Sequence, residues 1–163
     1  MIAADGGRME DRPLYWRTSM EYRVGRTGRV IAARLFEGED LFESIEQIAR
    51  LEQIQAAAVL ITGGFRQAQV VVGPRQEAPK IVPDQREFTG PGEVLGVGTL
   101  YPGDDGPSLH IHTGIGKGDT TIVGCARGQV RTFLVLEVTI IELEGIEGRR
   151  TLDPEKGVRL LRF

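Results

Sequence analysis

One cysteine and two histidines are all the thiol and imidazole that the 163 residues contain. The lone Cys125 excludes an internal disulfide, which fits a reducing compartment and predicts a cytoplasmic protein. Apolar runs are short: none approaches the ~18 residues that cross a bilayer, so no membrane span is expected. The opening "MIAADGGRMEDRPLYWR" lacks the continuous apolar core of a signal peptide. Neither sign of charge prevails. Lys plus Arg number 20 against 23 Asp plus Glu, a net −3, so the molecule as a whole does not attract duplex DNA. Internal repeats and low-complexity segments are also lacking.

What is present is a globular composition that leans toward turns: 40% apolar and 26% charged residues, with 22 Gly and 8 Pro. The length suits one domain with its own core. The first stretch mixes Gly, Pro and charge without periodicity, which predicts a flexible arm over 1–21 and a single domain over 22–163.

Along that domain "RVIAARL" (29–35) reads as a strand. Asp40 is a good N-cap, with Glu43 in the capping-box position, and Leu41, Phe42, Ile45, Ile48 and Ala49 then recur at helical spacing. The spacing predicts one helix over about 41–52. "AAAVLIT" (56–62) and "RQAQVVV" (66–72), separated by "GGF", resemble a hairpin, and the Pro-rich stretch 73–91 reads as a loop or ragged edge strand. Further strands are expected at 92–101, 108–115, 120–126, 130–145 and 158–163, with turns at "PGDDGP" and "GKGD". About seven strands with hairpin spacing and one helix imply an α+β fold on a mainly antiparallel sheet.

His110 and His112 are separated by one residue in a predicted strand, so both point to one face, roughly 6.5 to 7 Å apart along the chain. Two imidazoles so placed can converge on one ion, although zinc sites use three or four protein ligands. Cys125 is the natural third candidate, because the turn at "GKGD" folds 120–126 back beside 108–115. The plainer alternative is one partly buried histidine, one solvated histidine and a small core cysteine. "TGIGKGDTT" fails both the Walker A and the dinucleotide pattern and reads as a hairpin turn. Arg23, Arg26, Arg29 and Arg34 lie close together, but without aromatic interleaving or a recognition helix they read as a solvated strand edge. Glu93 and Glu137 interrupt apolar strands, so each must face solvent, an interface or a ligand.

In order, "RLFEGEDLFESIEQIARLEQIQAAAVLITGGF", "GEVLGVGTLY", "LHIHTGIGKGDTTIVGC" and "VLEVTIIELEG" resemble the plants-and-prokaryotes conserved (PPC) domain, also called DUF296, which carries a PD1-like DNA-binding label. The resemblance covers about residues 23 to 145. It implies a mixed, mainly antiparallel sheet flanked by helices and assembly as a homotrimer. The resemblance also implies a metal site, with zinc as the family's expected ion, built from His-x-His on one strand and a third His in a Gly-Gly-His-Leu motif on the next. His110 and His112 match the pair. In "VGCARG" Gly124 matches the first glycine, Cys125 stands at the second and Ala126 stands where the third His belongs. Either Cys125 substitutes as a thiolate, its direction restored by a bulge at Gly124, or the site is degenerate. The Arg-Gly-Arg-Pro core of an AT-hook is absent.

These readings converge on a stand-alone homotrimeric binding or assembly module, with a metal or small-ligand site near the paired histidines. Two rivals stand beside it. One is a DNA-binding regulatory protein. The other is a zinc-dependent enzyme in which His110, His112 and Cys125 hold a zinc-bound water and Glu93 or Glu137 is the general base.

Overall fold

The computed structural model describes residues 20–163. Residues 1–19, most of the expected arm, lie outside the described residues. Seven strands and one helix follow: β1 (Arg26–Phe36), α1 (Leu41–Leu51), β2 (Ala57–Gln76), β3 (Val82–Pro102), β4 (Pro107–Lys117), β5 (Thr120–Glu144), β6 (Arg149–Asp153) and β7 (Val158–Arg162).

The helix begins where its cap predicts. Asp40 has extended backbone, and its Oδ1 accepts hydrogen bonds from the backbone N–H groups of Phe42 (3.0 Å) and Glu43 (3.2 Å). The other oxygen, Oδ2, accepts from Val130 N–H at 3.0 Å, so one carboxylate ties the start of α1 to the middle of β5. Leu41, Ile45 and Ala49 are buried, with Phe42 and Ile48 packed at the margin of the same core.

The five long strands pair in the order β1-β5-β2-β3-β4, and β4 also pairs with β5. Strands β2, β3, β4 and β5 therefore close a ring of pairings, with β1 added along the second half of β5. Every pairing among the described strands is antiparallel. The core inside the ring includes Val59, Phe65, Val70, Leu100, Ile111, Ile115, Leu136 and Ile140.

Three segments depart from expectation. The stretch read as a hairpin of 56–62 with 66–72 is one strand, β2, and its antiparallel partner is β3. The glycines of "GGF" do not turn the chain. A Cβ on Gly63 would stand 2.4 Å from the carbonyl oxygen of Val135, and one on Gly64 would stand 2.9 Å from that of Phe133, so they permit close strand approach. The stretch 73–91, read as a loop or a ragged edge strand, is mostly the latter: Gly73 pairs with Asp84 and Pro74 with Pro83, with register shifts, near the tip of the long β2–β3 ribbon. The segments 120–126 and 130–145 are one strand, β5, and β6 has no counterpart among the expected strands.

Candidate metal and ligand site

The turn at Gly118 (φ +56°) and Asp119 folds β5 back on β4 with unbroken register, from Lys117 opposite Thr120 to His112 opposite Cys125. No bulge is needed at Gly124. Residues directly opposite in an antiparallel pair share a face, so Cys125 stands on the outer face with His112. Ala126, at the position of the implied third histidine, is fully buried in the core. The strand period thus places the cysteine, and not its neighbour, beside the imidazoles.

The two rings stack with centroids 5.2 Å apart and planes 13° from parallel, and their Nε2 atoms are 3.1 Å apart. Ligand atoms of His110, His112 and Cys125 all lie within 4.8 Å of one another. His112 is exposed, His110 is half-buried and Cys125 is buried.

A residue that sequence reasoning missed completes the arrangement. Arg150, on β6, is 6% exposed. Its Nη2 donates to Thr99 Oγ1 (2.6 Å) and to the Thr99 carbonyl (3.3 Å), and its Nη1 lies 3.3 Å from His110 Nδ1. Thr99 is directly opposite His110 on β3, so the β6–β7 hairpin delivers the guanidinium to the flank of that histidine. Only an arginine interrupting a short unassigned strand marks the position in the sequence, and nothing local couples it to residues forty positions earlier.

A guanidinium only donates, so His110 Nδ1 accepts from Arg150 and its ring proton belongs on Nε2, which donates to His112. A neutral imidazole is required there. Burial first, then Arg150, Arg127 and His112, push the His110 pKa down to about 4. Burial raises that of the Cys125 thiol against the opposing pull of Arg127 and Arg150, which favours the neutral thiol at rest.

The donors suit a zinc-class ion in kind, and the 3.1 Å between imidazole nitrogens is close to the roughly 3.3 Å separating ligands at a tetrahedral centre with bonds near 2.0 Å. Two adjustments would accompany binding of such an ion. Cys125 would give up its proton, and His110 would free Nε2 by carrying its remaining proton on Nδ1, at the expense of the bond from Arg150.

The two glutamates lie apart from this cluster. Both are exposed on the outer face. Glu93 is four residues along β3 from Val97, the partner of His112, about 13 Å by strand rise. Glu137 is opposite Thr62 and three strand spacings away, about 14 Å along the sheet. The arginine group near the start is engaged: Arg26 pairs with Glu144, Arg29 with Glu142 and Glu52, and Arg34 lies over the Phe36 ring.

Residues 22–144 match the Plants and Prokaryotes Conserved (PCC) domain, the same domain that the motif order resembles. The chain belongs to this family. Among solved structures, a metal-containing protein from Archaeoglobus fulgidus has 25% identity and a TM-score of 0.78, with 88% of this chain and 100% of that one covered. A plant- and prokaryote-conserved protein from Pyrococcus horikoshii has 23% identity and a TM-score of 0.76, with 88% and 98% covered. A protein from Ralstonia eutropha, described as a DNA-binding candidate, has 19% identity and a TM-score of 0.68, with 81% and 90% covered. No curated protein matches the chain. The mainly antiparallel sheet with one helix is thus the PCC fold, seen also in these neighbours.

Proposed function

We propose that residues 22–163 act as one PCC domain that assembles as a homotrimer in the cytoplasm and binds a metal ion, zinc by ligand type, at His110, His112 and Cys125. The observation that carries the reading is the convergence of these three side chains on one face through an unbroken hairpin register. A neighbour at 25% identity is described as metal-containing, which supports it. A reduced thiol in the cluster also suits a reducing compartment.

Trimer assembly is supported by the apolar surface beside the cluster. Register places Cys125, His112, Val97, Leu60 and Thr139 in one row across the outer face, and Val123, Gly114, Leu95 and Thr62 in the next. Leu95 is 70% exposed, Val123 65% and Val97 64%, a contiguous apolar area of the kind that marks an interface. The site would then lie at the margin of the subunit contact.

The DNA-binding reading has as its support the description of structural neighbours under 20% identical, while the net charge and the paired arginines work against it. Among the described residues, the zinc-enzyme reading has no carboxylate grouped with the cluster. Metal analysis of untagged protein decides between these: near-stoichiometric metal that is lost in His110→Ala supports the proposal. Metal far below one per chain, unchanged in His110→Ala, overturns the metal site, and salt-sensitive retardation of random duplex would favour the DNA reading instead.

A further inference from the structure

We propose that Arg150 and Arg127 make the His110–His112–Cys125 cluster a receptor for a small oxyanion, a carboxylate or a phosphate. The inference rests on reading the cluster as a ligand site, and it does not require a metal to be present.

A buried charge is costly unless it is paired. Arg150 is 94% buried by its 6% exposure, yet among the described residues no carboxylate reaches it, and the ion pairs formed by those residues lie elsewhere. Its hydrogen-bond partners are a hydroxyl, a carbonyl and a neutral imidazole. Its Nε is buried with no partner at all. The guanidinium therefore has full positive charge, an unused donor and no anion.

A second cation faces the same place. Arg127 follows Cys125 by two residues on β5 and so shares its face, and its side-chain hydrogen bond is a long 3.4 Å contact to the adjacent Ala126 carbonyl. Its charge acts on Cys125, His110 and Arg150 alike, and it adds to burial in lowering the Arg150 pKa. Two guanidiniums flank the cluster, and among the described residues neither forms an ion pair with a carboxylate. An oxyanion supplies the missing counter-charge and takes two forked donors.

The same anion removes the conflict at His110. Once Arg150 Nη1 turns to an oxyanion, His110 Nδ1 is free to carry the proton, and Nε2 is free for a metal. Anion and metal are therefore expected to strengthen each other's binding. Because Arg150 is recessed, the ligand is a small molecule and not the backbone phosphate of a duplex.

The test is calorimetric titration of metal-stripped full-length protein at low salt, with inorganic phosphate and, separately, with malonate. Saturable binding of one or both is expected, and which one binds assigns the class as phosphate or carboxylate. Arg127→Gln, at a half-buried position, is expected to weaken it roughly tenfold or more. Arg150→Lys weakens it too, by loss of the fork, while Arg75→Gln on the distant ribbon leaves it unchanged. Failure of both anions to bind saturably, or wild-type affinity in Arg127→Gln, overturns the proposal. Metal that depends on His110 in a protein binding neither anion would leave the metal reading standing and sink this one.

Discussion

Cys125 lies directly across the β4–β5 hairpin from His112, on the same outer face, while its neighbour Ala126 is sealed in the core. The juxtaposition makes the cysteine a ligand candidate by geometry. Cys125→Ser is expected to keep the fold and to lower zinc affinity, because a serine hydroxyl replaces a soft thiolate. Competition titration against a chromogenic chelator reads the change. Equal affinity in both proteins would leave the metal to the histidines alone. In the metal-free protein the raised thiol pKa predicts slow alkylation at neutral pH that accelerates as pH rises.

Protonation of His110 opposes folding. Its pKa is about 4 in the fold against 6.5 as the unperturbed value, so the unfolded chain binds more protons between those limits. Stability is therefore complete above about pH 6.5 and declines as pH falls toward 4, by at most about 3 kcal/mol and less with solvent screening. Glu142, held down by its hydrogen bond from Arg29, and Asp153, held down by the Lys156 backbone N–H, begin to lose their contributions only as pH falls below their ordinary values of 4.5 and 3.8, so Glu142 overlaps just the acid end of the His110 window. Urea denaturation of metal-free protein at a series of pH values measures the slope. His110→Gln should flatten it, and an unchanged slope would refute the assignment.

The exposed apolar rows predict a charge-sensitive assembly. Leu95→Glu leaves the monomer fold intact, since the side chain is 70% exposed, but places a carboxylate in the proposed interface. Light scattering after size exclusion should show the wild type as a trimer and the variant dissociating on dilution. An unchanged mass would move the interface elsewhere.

Gly124 has no room for a side chain. An added Cβ would stand 2.3 Å from the Val71 carbonyl oxygen, which is backbone and cannot step aside. Gly124→Ala should push β2 and β5 apart beside Cys125, with destabilisation of about 2 kcal/mol or more and a loss of metal affinity. Thermal unfolding with metal analysis follows both.

Asp40 holds two elements with one carboxylate. Asp40→Ala removes the helix cap and leaves the Val130 N–H without its acceptor, for an expected loss of about 2 to 3 kcal/mol. Asp40→Asn should recover only the cap part of it, because the amide oxygen still accepts from the helix N-terminus while the NH2 that replaces Oδ2 cannot accept from Val130 N–H.

Local chemistry was legible where it acts within a few residues. Asp40 with the 3- and 4-residue recurrence after it defined α1 to within one residue of its observed end. The glycine turn before Thr120 and the two-residue period placed His110, His112 and Cys125 on adjoining strands. Gly63 and Gly64 misled, because a glycine that admits a neighbouring backbone and a glycine that turns the chain look alike in sequence.

The sequence by itself determined the helix, the alternation of the strands and the motif order of a PCC domain, since each depends on short-range spacing. Only the tertiary structure decided which strands pair, that Cys125 faces the histidines while Ala126 does not, and that Arg150 comes to lie against His110. Register and long-range packing set those relationships, and a one-residue shift in either would send the same side chains to the opposite face.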